Sequence, residues 1–173
     1  MQIEIRRGIS LQPGTFNAVV APEKEIVTAI NSNTDLQRFL FLYIGGNYSR
    51  ILSGINRQSR NFDVRRAFTA HQLFTTLREA GHTVVFVEHD PTLFDGAAAM
   101  LEPVAGALRE VGRESLVIIY TPVVDRTFSA LARKADHYIE LIPIETNLNP
   151  TRTTRVMRQC GLRPSGQRTL EVS

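Results

Sequence analysis

Chemistry in this chain gathers where an apolar run breaks off. The segment VVFVEHDPTLFDG, residues 84–96, passes from four apolar residues directly into Glu88, His89 and Asp90, with Asp95 close behind. Carboxylates at the tip of a buried strand can hold a magnesium ion when nucleotide phosphates share it. Adjacent residues on a strand point to opposite faces, so Glu88, His89, Asp90 and Asp95 do not converge easily into one metal site. The plainer expectation is that Asp90, just before Pro91, caps a turn while Glu88 and His89 face solvent. Thr121 and Asp125 stand at a neighbouring strand end. Ser49, His89 and Asp125 have the residue types of a hydrolytic triad, but no serine sits on a sharp Gly-x-Ser-x-Gly turn. His71 lies within a helical pattern, and His82 and His137 open strands.

The second chemical feature is arginine. Of the 20 basic residues 18 are Arg, against 17 acidic residues and a net charge of +3. One cluster comprises Arg50, Arg57, Arg60, Arg65 and Arg66, opposed only by Asp63; another comprises Arg152, Arg155, Arg158, Arg163 and Arg168, opposed only by Glu171. A planar guanidinium suits phosphate and carboxylate alike, so the clusters are either nucleic-acid contacts or a solvated face. Aromatic stacking partners are sparse, with Tyr48 and Phe62 nearest the first cluster.

The elements that must position these groups follow from periodicity. Runs that are largely apolar, at 16–21, 38–44, 83–87, 115–120 and 137–142, alternate with helical patterns at 23–31, 64–81, 96–112 and 125–135. Such strands are those of a parallel sheet covered on both faces, which predicts an α/β three-layer sandwich. Val64, Phe68, Leu73 and Leu77 set the helix over 64–81, with Gly81 as its C-cap, and Pro103 predicts a kink or a late start for the next one. The organisation expected is one domain: a lead-in over 1–15, a core over 16–142 and a C-terminal β-hairpin over 151–173. A lone Cys160 excludes an internal disulfide and fits a reducing, cytoplasmic setting. No apolar run approaches the roughly 18 residues that cross a bilayer, so no membrane contact is expected.

In order and type of elements the chain resembles the RecA/RadA superfamily of P-loop ATPases, including archaeal RadA-like and KaiC-like proteins. The resemblance is carried by FDVRRAFTAHQL (62–73), by VVFVEHD at the place of the Walker B strand, by ALARKADHYIELI (130–142) and by the closing RTTRVMRQCGLRPSGQRTLEV. It implies a RecA-like core with a nucleotide site at the strand ends. The departures are as informative. The phosphate loop needs glycines, a Lys and a Ser/Thr, whereas the corresponding turn here reads VVAPEKEIVTAI, with Lys24 flanked by Glu23 and Glu25. Where the family carries a catalytic glutamate the chain has IGGN, residues 44–47. Segments 50–58 and 81–90 also look like the signature and histidine loops of an ABC ATPase, but that family places a Walker B strand between them and only a helix lies there.

The expectation is therefore a non-catalytic RecA/RadA-like paralog in DNA recombination or repair. It would lack a cofactor and a resident metal, and would bind DNA, an active RecA-like partner or itself. Arg50, Arg57, Arg60, Arg65, Arg66, Arg152 and Arg155 are the candidate nucleic-acid contacts; Lys24, Glu88, Asp90 and Asp125 would be remnants of a nucleotide site. The alternatives are a divergent NTPase or metal-dependent hydrolase working through Glu88, Asp90 and Asp125, and a structural subunit without nucleic-acid contact.

Overall fold

The computed structural model describes residues 3–6, 8–141 and 156–157. The chain opens with an antiparallel hairpin, β1 (Ile3–Arg6) and β2 (Ile9–Leu11), closed by Gly8 at φ 85°. There follow β3 (Thr15–Val20), α1 (Glu23–Ser32), β4 (Phe41–Gly45), β5 (Phe62–Arg66), α2 (Ala70–Arg78), β6 (Val84–Glu88), α3 (Leu101–Gly112), β7 (Leu116–Thr121), α4 (Arg126–Ala132), β8 (His137–Glu140) and β9 (Val156–Met157). One sheet runs in the order β5-β4-β6-β7-β3-β8-β9. Its first six strands are parallel and β9 is antiparallel to β8.

Layering explains the continuous apolar runs. One face packs against α2, α3 and α4 through Leu73, Leu77, Val104, Leu108, Phe128 and Leu131. The other is covered by β1, β2, α1 and the segment between β4 and β5, through Ile3, Leu11, Ile26, Ile51 and Ile55. Strands β4, β6 and β7 are buried along their whole length because both faces are covered. Across the second face an aromatic ladder steps from strand to strand. Phe62 stacks on Phe41 at 4.8 Å between ring centres, Tyr43 on Phe86 at 5.5 Å, and Phe86 meets Tyr120 at 5.8 Å. The three-layer α/β sandwich expected from the sequence is the fold observed.

Three local expectations are corrected. The helix placed over 64–81 is two elements: residues 62–66 form edge strand β5, and α2 starts only at Ala70, where the Thr69 hydroxyl accepts the Gln72 N–H at 3.2 Å. Val64 and Phe68 therefore belong to no helical stripe and are 39% and 56% exposed. A strand wins here because Phe62 completes the aromatic ladder and the β-branched Val64 suits an extended edge. Second, α2 ends at Arg78 with Glu79 as its cap, so Gly81 takes no capping role. Third, the helix expected from residue 96 begins at Leu101 after a 3-10 turn at Ala98–Met100, the late start that Pro103 predicted, which puts Pro103 in its first turn, where no backbone N–H is needed. Of the C-terminal hairpin expected over 151–173, only Val156–Met157 falls among the described residues.

Candidate functional site

The carboxyl ends of β4, β6 and β7 meet at a point where the chain leaves in opposite directions. After β4 it turns outward to β5, and after β6 it crosses inward to β7. Crevices at such reversals are the ligand sites of open parallel sheets. Glu88 ends β6 there and is only 3% exposed. Its carboxylate accepts the Tyr43 hydroxyl, the Ser49 hydroxyl at 2.6 Å and the Arg50 backbone N–H at 2.7 Å. Burial, and then the bond to Glu88, raise the Tyr43 phenol far above its ordinary range, so it remains a donor.

His89 turns to the other face. Its side chain is 2% exposed, its Nε2 lies 2.8 Å from Asp125 Oδ2, and its ring meets Phe128 edge-on at 5.5 Å. Burial lowers the His89 pKa, with Asp125 pulling the other way. The imidazole is thus neutral near neutral pH, and its Nε2–H donates to Asp125. Asp125 is in turn the N-cap of α4, accepting the Phe128 N–H at 2.8 Å and the Thr127 hydroxyl at 2.6 Å. Burial opposes its charge, yet Thr127, the Phe128 N–H and His89 together hold its carboxyl below the usual range.

Asp90 caps the 3-10 turn at Pro91–Phe94, as expected from Asp-Pro. It accepts the Thr92 N–H at 3.0 Å, the Thr92 hydroxyl at 2.7 Å and the Tyr48 N–H at 3.2 Å. Burial again opposes the charge, but the Thr92 hydroxyl and the N–H groups of Thr92, Tyr48 and Asn47 lower its pKa. The loop after β4 approaches so closely that a Cβ on Gly46 would lie 2.4 Å from the Asp90 Cβ. Gly46 admits that contact, while a Cβ on Gly45 would press on the Tyr43 ring at 3.3 Å.

The strand ends thus hold three separate closed networks. Glu88 does not face solvent as the sequence suggested, because Tyr43 and Ser49 come across from β4 and its loop to enclose it; nor does His89, which Phe128 and Asp125 enclose. Ser49 joins Glu88 on one face while His89 joins Asp125 on the other, so no triad forms. Asp95 stands apart from them, and no metal-holding group of three His, Cys, Asp or Glu occurs among the described residues. Lys24 is exposed in α1 and lines a shallow groove of about 450 Å³ with Glu4, Arg6, Glu25 and Thr28, away from Glu88, Asp90 and Asp125. The turn from β3 to α1 spans only Ala21 and Pro22, and the helix places Glu23 and Glu25 in its first turn.

Around these networks the rim is basic and partly aromatic. Tyr48, in the loop after β4, is 75% exposed, and Phe68, in the loop after β5, is the next large ring at this edge. Between them Arg66 donates to the Gly46 carbonyl at 3.3 Å. Arg50 lies near Glu23 at 3.7 Å with its side chain 66% exposed. Arg57 and Arg60 are exposed in the segment that leads into β5, at the opposite end of that strand from Arg66. Arg65 reaches Glu79 at 3.4 Å. Arg65 and Arg66 therefore sit on an edge strand and not on a helix. Phe62 is no stacking candidate, since Phe41 covers it; Phe68 is, and reading it as part of a helical stripe hid it. Arg152 and Arg155 lie outside the described residues.

No family model matches the sequence. The chain is 41% identical over 127 residues to an uncharacterized protein of Archaeoglobus fulgidus, a match that takes in 73% of this chain and 64% of the relative. The chain thus spans less than two thirds of that protein's length. Among the described residues no helix is long and apolar enough to cross a membrane.

Proposed function

We propose that this chain is a non-catalytic RecA/RadA-like protein that binds DNA along the carboxyl-end rim of its sheet. The observation that carries the reading is the pairing of exposed Tyr48 and Phe68, on adjoining loops, with Arg50 in the first of those loops and Arg66 at the end of β5. Guanidinium groups neutralise phosphates while the rings offer faces for unpaired bases, a combination that binds single strands with little regard to sequence. Support for the absence of catalysis comes from Glu88, Asp90 and Asp125, whose carboxylates are engaged by internal donors. The two glutamates at the start of α1, where a phosphate would approach, point the same way.

Fluorescence anisotropy with a labelled single-stranded oligonucleotide tests this across salt concentrations. Affinity should fall steeply with salt, by a log-log slope of about 0.7 per neutralised phosphate. Arg50→Ala with Arg66→Ala should reduce both affinity and slope; Tyr48→Ala with Phe68→Ala should reduce affinity and leave the slope unchanged. Absence of binding even at low salt would remove the DNA reading and leave an active RecA-like partner as the role to pursue.

A further inference from the structure

Among the described residues strand β5 is the free edge of the large sheet, hydrogen-bonded within it only to β4. Four of its five residues, Asp63, Val64, Arg65 and Arg66, are exposed. We propose that a second copy of this chain pairs with this edge, β5 against β5 and antiparallel, about a two-fold axis through Val64.

The argument is one of register. In an antiparallel pair related by a two-fold axis, residues directly opposite share a face, so the axis passes through a residue and not between two. Centring it on Asp63 sets that carboxylate against its own copy; centring it on Arg65 or Arg66 sets two guanidinium groups together. Centring it on Val64 places Asp63 opposite Arg65 of the second copy and Arg65 opposite its Asp63, with the two valines meeting on the axis. Opposite charges directly across a ladder attract and like charges repel, so among registers centred on the four exposed residues the charges select the one on Val64.

The side chains are already presented for it. Asp63 and Arg65 lie on the α2 side of the strand, where Asp63 contacts His82 at 2.9 Å and Arg65 contacts Glu79 at 3.4 Å. With 59% and 43% of their side chains still exposed, both can take a second partner. Charged residues on an edge normally guard it against strand addition; here their signs alternate so that the edge repels most strands and fits its own copy. A contact of this length is small, so association is concentration-dependent, and it is independent of whether the rim binds DNA.

Sedimentation equilibrium over a concentration series provides the test, with far-UV circular dichroism confirming that each variant is folded. The wild type should dimerise. Asp63→Arg or Arg65→Asp alone places like charges at both crossings and should weaken the dimer about tenfold or more. Mixing the two single variants restores opposite charges at each crossing and should recover association, as should the double exchange Asp63→Arg, Arg65→Asp in one chain. A wild type that stays monomeric, a dimer indifferent to the single reversals, or folded single variants that fail to associate when mixed would each overturn the proposal.

Discussion

Glu88 takes three hydrogen bonds from β4 and the loop after it, and replacing it separates a structural role from a catalytic one. Glu88→Ala leaves two hydroxyls and an N–H facing an emptied site and should cost about 3 kcal/mol in denaturant unfolding. Glu88→Gln keeps an acceptor for the Arg50 N–H, and the hydroxyls can turn to accept from its amide, so it should cost less than half as much. Gly46→Ala should cost about 2 kcal/mol, because Asp90 must yield to the new methyl group and give up its bonds to the Tyr48 and Thr92 amides. His89 contributes a pH dependence of definite sign. Its folded pKa is lowered, so below the ordinary value of 6.5 the unfolded chain takes up a proton that the folded one resists. Stability should therefore fall as pH drops from about 7 to about 5, and urea midpoints of His89→Gln should show a flatter slope over that window. Asp90 was legible as a turn cap from the Asp-Pro pair alone. The burial of Glu88 was not, since its enclosing tyrosine lies 45 residues away in sequence.

At the scale of elements, four of the strands read from sequence, β3, β4, β6 and β7, are buried along almost their whole length and are mainly apolar with no competing period, and β8 was read from its apolar centre although His137 and Glu140 are exposed. The edge strand β5 escaped because only Phe62 is packed; Asp63, Arg65 and Arg66 face solvent, and the five residues run without a break into the pattern of α2. Thr69 was the available signal, an N-cap residue standing between strand and helix. The short helix α4 depends on its cap in the same way. Asp125 satisfies the Phe128 N–H and also receives His89, so Asp125→Ala should lower stability by about 2 kcal/mol and Asp125→Asn by about half that. Chemical denaturation of the two variants side by side would check the order.

For the molecule as a whole, the acidic first turn of α1 and the two-residue turn before it leave no glycine nest for a phosphate. Calorimetry with ATP and magnesium should register no binding at micromolar nucleotide, and binding there would make Lys24 the first residue to replace. The three-layer architecture was legible because parallel sheets write themselves as apolar runs, whereas the rim was not, because exposure of Tyr48 and Phe68 is decided by which loops lie side by side. One consequence of the strand order concerns synthesis. Strand β3 lies between β7 and β8, so its nearest neighbour in the chain is 101 residues away, Thr15 opposite Leu116. On the ribosome β3 emerges first among the described strands of the large sheet, yet it has no strand to pair with there until β7 has followed. Throughout that interval the largely apolar segment 16–20 lacks its partner strands and is open to chaperones or to aggregation. Nascent chains arrested before Leu116 should be digested readily by protease, and resistance should appear only once β7 and β8 have cleared the exit tunnel.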